Sequence, residues 1–231
     1  MVCRSFPCRS SDRRSRGIRP VIFMGICSQI KGETLNLDHI IQERIDEHLE
    51  VIGLLKNDSK FLIKLSEISN VITDCFKSGG KLLICGNGGS AADAQHIATE
   101  FVSRFLIERK ALDAEALTVN TSSLTAIGND YSFDKVFSRQ IEAKGTTGDV
   151  LIAISTSGNS NNVVEAVKTA QNIGMKTIGF SGDNRNSLIC NIADYCMCVP
   201  SCSTPRIQEA HILIGHIICE IVERNLFKKG D

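Results

Sequence analysis

The chain has 231 residues, 42% of them hydrophobic and 5% aromatic, with 26 basic and 26 acidic side chains. That length suits one compact domain with a real core, with or without a helical appendage. A formal charge of zero removes the electrostatic argument for a nucleic-acid partner, and no apolar run approaches the ~20 residues of a membrane span.

The zero is a sum of unlike parts. Residues 1–24 hold six arginines against one acid, Asp12, so 20 basic and 25 acidic side chains remain, a balance of −5. An Arg- and Ser-rich, acid-poor start fits three readings alike. It can be an organelle-targeting segment, translation from an upstream start with Met24 as the true first residue, or a disordered tail without function. Residues 1–30 are therefore set apart as an extension, and 36–227 are expected to form a single domain.

From Leu37 the pattern is helical. Ile40, Ile41, Ile45, Leu49, Ile52 and Leu55 recur every three or four residues, an apolar stripe along one face. Asn57-Asp58-Ser59 breaks that helix and offers caps for a second one, which runs through Phe76 and stops at Gly79-Gly80. A strand is predicted over 81–85, a helix over 90–105, a strand over 114–119 and a short helix over 122–128. A helix over 133–143, a strand over 149–154 and a helix over 160–173 follow, the last stopped by Gly174. Strands over 176–180 and 195–199 precede a final helix over 204–227. Strands alternating with helices predict an α/β fold: a five-stranded parallel sheet flanked by helices, with an N-terminal helical hairpin. Ligands of such sheets bind beyond the carboxyl ends of the strands.

The ten cysteines (3, 8, 27, 75, 85, 190, 196, 198, 202 and 219) lack the paired CxxC spacing of a zinc ribbon. Cys75, Cys85 and Cys219 sit in apolar runs, where a free Cys acts as a small hydrophobe. The expectation is reduced packing thiols in a cytoplasmic protein.

Three segments carry candidate chemistry. Cys85-Gly86-Asn87-Gly88-Gly89-Ser90 lies between a strand and a helix, and by itself is a tight turn that brings backbone close to whatever binds there. It is neither GxGxxG nor a Walker loop. Ser155-Thr156-Ser157-Gly158-Asn159-Ser160 also joins a strand to a helix. Its four hydroxyls and helix N-terminus form a phosphate cradle without Lys or Arg, whereas a plain cap needs only one hydroxyl. The third set is polar residues on two helices. His96 and Glu100, four apart, share one face. On the last, mostly apolar helix, His211 falls ~60° to one side of Gln208 and His216 ~80° to the other, so the two histidines face different ways.

Together these segments resemble the sugar isomerase (SIS) domain family, and within it the phosphoheptose isomerases. The matching stretches are GNGGSAADAQHIATEF (86–101), AIGNDYSFDKVFSRQIEA (126–143), GDVLIAISTSGNSNNVVEAV (148–167) and TPRIQEAHILIGHIICEIVE (204–223). The resemblance covers about 36–227 and leaves residues 1–30 outside. It implies a homotetramer with active sites at subunit boundaries, and conversion of sedoheptulose 7-phosphate to D-glycero-D-manno-heptose 7-phosphate. That reaction is the first step of ADP- or GDP-heptose biosynthesis, toward the heptoses of lipopolysaccharide. By position, Ser155, Thr156, Ser157 and Ser160 match phosphate contacts, and Asn87, Gly88, Gly89, Asn129 and Asp130 match contacts to the open sugar chain. Gln208 matches a further substrate contact. Glu100 matches the catalytic base, itself in contact with substrate, and His216 its acid partner. Some members hold zinc through residues matching His96, Glu100, Gln208 and His216; no organic cofactor is implied. The chemistry agrees: a carboxylate takes a carbon-bound proton when desolvation brings its pKa toward neutrality, and an imidazole shuttles hydroxyl protons.

Two other readings share the fold. One is a non-catalytic SIS protein that binds the bacterial replication initiator, in which the equivalents of Glu100 and His216 are not acid/base residues. The other is an isomerase, or a regulatory sensor, for a different phosphosugar.

Overall fold

The computed structural model describes residues 36–184 and 187–227. The Arg-rich extension, residues 1–30, lies outside them. The described chain opens at Asn36, directly before α1 (Leu37–Asn57).

Helix α2 (Ser59–Lys77) starts where Asp58 accepts hydrogen bonds from the N–H groups of Lys60 and Phe61, the expected cap. The body then alternates: β1 (Leu82–Gly86), α3 (Gly89–Val102), β2 (Ala114–Ala116), α4 (Thr121–Asp130), α5 (Ser138–Lys144), β3 (Val150–Ile154), α6 (Asn161–Ile173), β4 (Lys176–Ser181), α7 (Leu188–Ile192), β5 (Tyr195–Cys198) and α8 (Thr204–Phe227). The five strands are all parallel in the order β2-β1-β3-β4-β5.

Both sheet faces are covered, which is why β1 and β3 are buried along their whole length. Leu82, Ile84, Ile152, Ile154, Phe180 and Met197 pack with α2, α3 and α8, while Leu83, Cys85, Leu151 and Ala153 pack with α5 and α6. At the amino edge, Asp149 takes hydrogen bonds from the Lys81 N–H and Nζ and from Thr146. Burial alone would raise its pKa, but those donors hold it below the ordinary carboxylate value.

Three elements depart from the sequence reading by three residues or more, and a fourth was not foreseen. Helix α3 ends at Val102 rather than 105, because the N–H groups of Phe105, Leu106 and Ile107 donate to the distant Glu223 carboxylate instead of continuing the helix. Strand β2 keeps only three residues. The helix predicted over 133–143 divides into a 3₁₀ turn, Phe133–Lys135, and α5. Helix α7, unforeseen, is a single turn capped by the Ser187 hydroxyl.

Candidate active site

The chain visits β2 on one side of β1, then crosses to β3 and continues outward through β4 and β5. The switch point of the sheet, where doubly wound folds bind ligands, is therefore the crevice between β1 and β3. The loops after those two strands are the two glycine-containing segments singled out above. They are tied across the crevice by Asn87 and Asn162, whose side-chain amides exchange two hydrogen bonds of 2.9 Å each.

In the second loop the hydroxyls converge. Ser155 Oγ lies 3.1 Å from Ser160 Oγ and 3.4 Å from Ser157 Oγ. Ser160 is the N-cap of α6 by position, yet its side chain caps no N–H, which leaves the helix's positive end open to an anion. Gly158 takes φ +68°, and a Cβ there would strike the hydroxyls of Ser187 and Ser181; only glycine fits the turn. Thr156 and Ser157 also border an open cavity of about 340 Å³ at the carboxyl ends of β3, β4 and β5.

In the first loop Gly88 is the N-cap of α3 at φ +55°. Gly89 lies under the Gln208 amide, so close that a Cβ would come within 2.9 Å of its Oε1. Helices α3 and α8 run side by side from that contact, with Gly215 of α8 against Ile97 of α3.

Farther along the same pair of helices lies the second centre. His96 Nε2 is 2.9 Å from His216 Nε2 and 3.2 Å from Glu100 Oε1. Two imidazole nitrogens at that distance share either a proton or a cation. The three ligand atoms all lie within 4.8 Å of one another, a group able to hold a metal ion. Two imidazoles and a carboxylate are a donor set that suits zinc. Phe105 stacks on the His216 ring, with centroids 5.6 Å apart. Gln208, the fourth expected ligand, is seated on Gly89, about 12 Å back along α8 from His216 at 1.5 Å per residue. Asn129 and Asp130 pair with each other at the exposed end of α4.

Behind this centre is a buried ion pair that the sequence did not disclose. Arg109 and Glu223 have side chains 1% and 3% exposed, with Nε and Oε1 3.2 Å apart. Glu223 gathers the three N–H groups that end α3, and Arg109 donates to the carbonyls of Glu100, Phe101 and Ser103. Desolvation works against the Glu223 charge, but those N–H groups and the guanidinium keep its pKa below the ordinary value. Asp93 was also missed. Its Oδ2 is buried with no hydrogen-bond partner among the described residues, and burial pushes its pKa up to about 6 against the pull of His96.

His211 faces away, as its helical phase predicts. It is fully buried against Phe180, with Nε2 3.2 Å from the Ser181 carbonyl. Burial lowers its pKa to about 4, outweighing the Ser181 hydrogen bond. A base with a depressed folded pKa stabilises the fold above its unfolded value of ~6.5, and that contribution is lost as pH falls through 4. The difference amounts to about 3 kcal/mol by linkage. Urea midpoints measured from pH 7 to 4 should fall less steeply for His211→Gln than for the parent.

The sequence profile described as "SIS domain" matches residues 58–182. The phosphoheptose isomerase of Clostridium acetobutylicum is 51% identical over 195 residues, covering 83% of this chain and 97% of its own. Phosphoheptose isomerase 2 of Campylobacter jejuni is 50% identical over 88% of this chain and 95% of its own. Among solved structures, the phosphoheptose isomerase of Neisseria gonorrhoeae superposes with a TM-score of 0.75 at 41% identity, covering 81% of this chain and 98% of that one. With matches that span nearly the whole length of these relatives, the chain belongs to the SIS domain family, in its phosphoheptose isomerase branch.

Proposed function

We propose that the protein is an aldose–ketose isomerase that converts sedoheptulose 7-phosphate to D-glycero-D-manno-heptose 7-phosphate. The observation that carries this reading is the meeting of a carboxylate and an imidazole from different helices, Glu100 and His216, within 4.8 Å. An acid/base pair is what the reaction requires. The phosphate rests on the hydroxyls of Ser155, Thr156, Ser157 and Ser160 and on the open end of α6. A hydroxyl cradle explains how a body of charge −5 accepts an anion without a basic patch. Asn87, Gly88, Gly89 and Gln208 line the chain of carbons, joined by Asn129 and Asp130.

Glu100 takes the proton from C1, which generates a cis-enediol, and a proton returns at C2. His216 moves the proton between the oxygens on C1 and C2 and so lets the carbonyl change places. His96 orients His216 through the 2.9 Å contact. Zinc held by His96, Glu100 and His216 would stabilise negative charge on those oxygens.

The protein acts as a homotetramer in this reading. Ile41, Ile45 and Leu49 form a stripe on α1 that is 54–60% exposed in the single chain, a surface that calls for a partner. Asn129, Asp130 and His96 are exposed in the same way, which supports sites completed at subunit boundaries. Ile45→Glu with Leu49→Glu should yield smaller species by sedimentation. In this reading the enzyme works in the cytoplasm on a phosphorylated sugar. Among the described residues no helix is long and apolar enough to cross a membrane.

The test is an isomerisation assay on sedoheptulose 7-phosphate in deuterated buffer, with and without chelator. Deuterium should enter at C2 of the aldose product and, through the reverse step, at C1 of the ketose, and chelation should lower turnover. A folded tetramer that incorporates none sinks the reading in favour of a binding protein.

A further inference from the structure

Three of the cysteines expected as scattered packing thiols meet in space. Cys196 and Cys198 are two apart on β5, the edge strand, so they point to the same face. Helix α7 lays Cys190 against them. The sulfurs of Cys190 and Cys196 are bonded, with Cα atoms 5.1 Å apart, inside the range a disulfide needs. Cys198 Sγ lies 3.5 Å from Cys190 Sγ and 3.8 Å from Cys196 Sγ, and Cys198 is exposed. Cys75, Cys85 and Cys219, by contrast, are buried and single.

The helix that carries Cys190 also braces the hydroxyl loop. Ile189 N–H donates to the Gly158 carbonyl at 3.0 Å, and Leu188 N–H donates to Asn159 Oδ1 at 2.9 Å. The Ser187 hydroxyl fills the space beneath Gly158. A covalent bond from α7 to β5 therefore fixes the back of the Ser155–Ser160 segment to the sheet edge.

We propose that Cys190, Cys196 and Cys198 form a thiol–disulfide exchange site that reacts with dithiol reductants, and that the Cys190–Cys196 bond holds the anion-binding loop in place. In reduction, a thiolate of the dithiol bonds to Cys190 Sγ. The Cys190–Cys196 bond breaks, and its electron pair leaves on Cys196, which takes a proton. The second thiol of the reductant then bonds to its own first sulfur, releasing Cys190 as a thiol. Two electrons and two protons pass to the protein, and the dithiol becomes a disulfide. Cys198 adds an internal route: its thiolate attacks Cys190 Sγ, forms Cys190–Cys198 and frees Cys196, with no net redox change. A soft metal ion would also suit three thiolates, but the bonded pair would first have to be reduced.

The site stands without any assumption about substrate; only its effect on the loop rests on the proposed function. In the full chain, oxidised or reduced dithiothreitol is followed by alkylation and peptide mapping. The oxidised protein should carry Cys190–Cys196 with Cys198 alkylated, and the reduced protein three alkylated thiols. Cys196→Ser should trap Cys190–Cys198. The KM for sedoheptulose 7-phosphate should rise about fivefold on reduction with kcat unchanged, and in Cys190→Ser it should stay high in both conditions. Three free thiols under oxidising conditions would overturn the site, as would zinc retained at these thiols in a His96→Ala/His216→Ala protein. A mapped disulfide with a KM indifferent to reduction would overturn its hold on the loop. Failure of the proposed activity is read separately, as absent C1 exchange in both redox states.

Discussion

Glu100→Gln should fold and assemble like the parent protein and lose about 10³-fold in kcat, within the range that general base catalysis contributes. The amide keeps the size and the hydrogen-bonding reach of the carboxylate but cannot accept a proton from carbon. Its neighbours fix what else would change. His96 Nε2 lies 3.2 Å from Glu100 Oε1, so an amide oxygen can keep that contact and hold the histidine pair. If Glu100 served only as a metal ligand, saturating zinc would restore turnover to the variant. The proposed role as base predicts no rescue, and loss of C1 deuterium incorporation in step with turnover. Near-normal turnover in an intact oligomer would refute the assignment.

Glu223→Ala should be the most damaging single change outside the reacting groups, costing about 3–5 kcal/mol because it strands a buried charge. For a chain of this size that is a fall of roughly 6–20 °C in Tm, at ~2–4 °C per kcal/mol. Arg109 would remain with its side chain 1% exposed and its carboxylate gone, and three N–H groups would lose their acceptor. The damage should reach the active site through Phe105, which donates to Glu223 and stacks on His216. At temperatures where the variant is folded, kcat should fall while KM changes little. The double variant Arg109→Leu/Glu223→Leu should be more stable than either single one, since it leaves no unpaired charge. Thermal unfolding of the four proteins measures the coupling.

What could be read from the sequence was local or periodic. The last helix was placed at 204–227 and α8 spans Thr204–Phe227, because an apolar helix with polar residues on two faces has an unambiguous period. The phase of Gln208, His211 and His216 correctly separated the two histidines. The hydroxyl loop and the GNGGS turn could be recognised because strand, glycine and helix N-terminus adjoin in the chain. What could not be read depends on residues far apart. The end of α3 is decided by Glu223, more than 110 positions away. Cys190 and Cys196 meet because a one-turn helix folds back on an edge strand, and a search for CxxC spacing has no access to that. Asp93 was not singled out, because in the sequence nothing sets it apart from the other polar residues of its helix; only the packing buries its Oδ2 without a partner among the described residues. The 3₁₀ turn at Phe133–Lys135 carries no distinguishing pattern, since its composition suits an ordinary helix equally well.

The paired amides of Asn87 and Asn162 have a consequence for how the enzyme's acid response should be interpreted. Neither amide gains or loses a proton between pH 4 and 10, so the brace between the two loops keeps its geometry over that whole interval. A phosphate monoester sheds its second proton near pH 6. A weakening of ligand affinity around that value therefore reports ionisation, of the ligand itself or of Asp93, whose pKa is also about 6, and not a loosening of the Asn87–Asn162 brace.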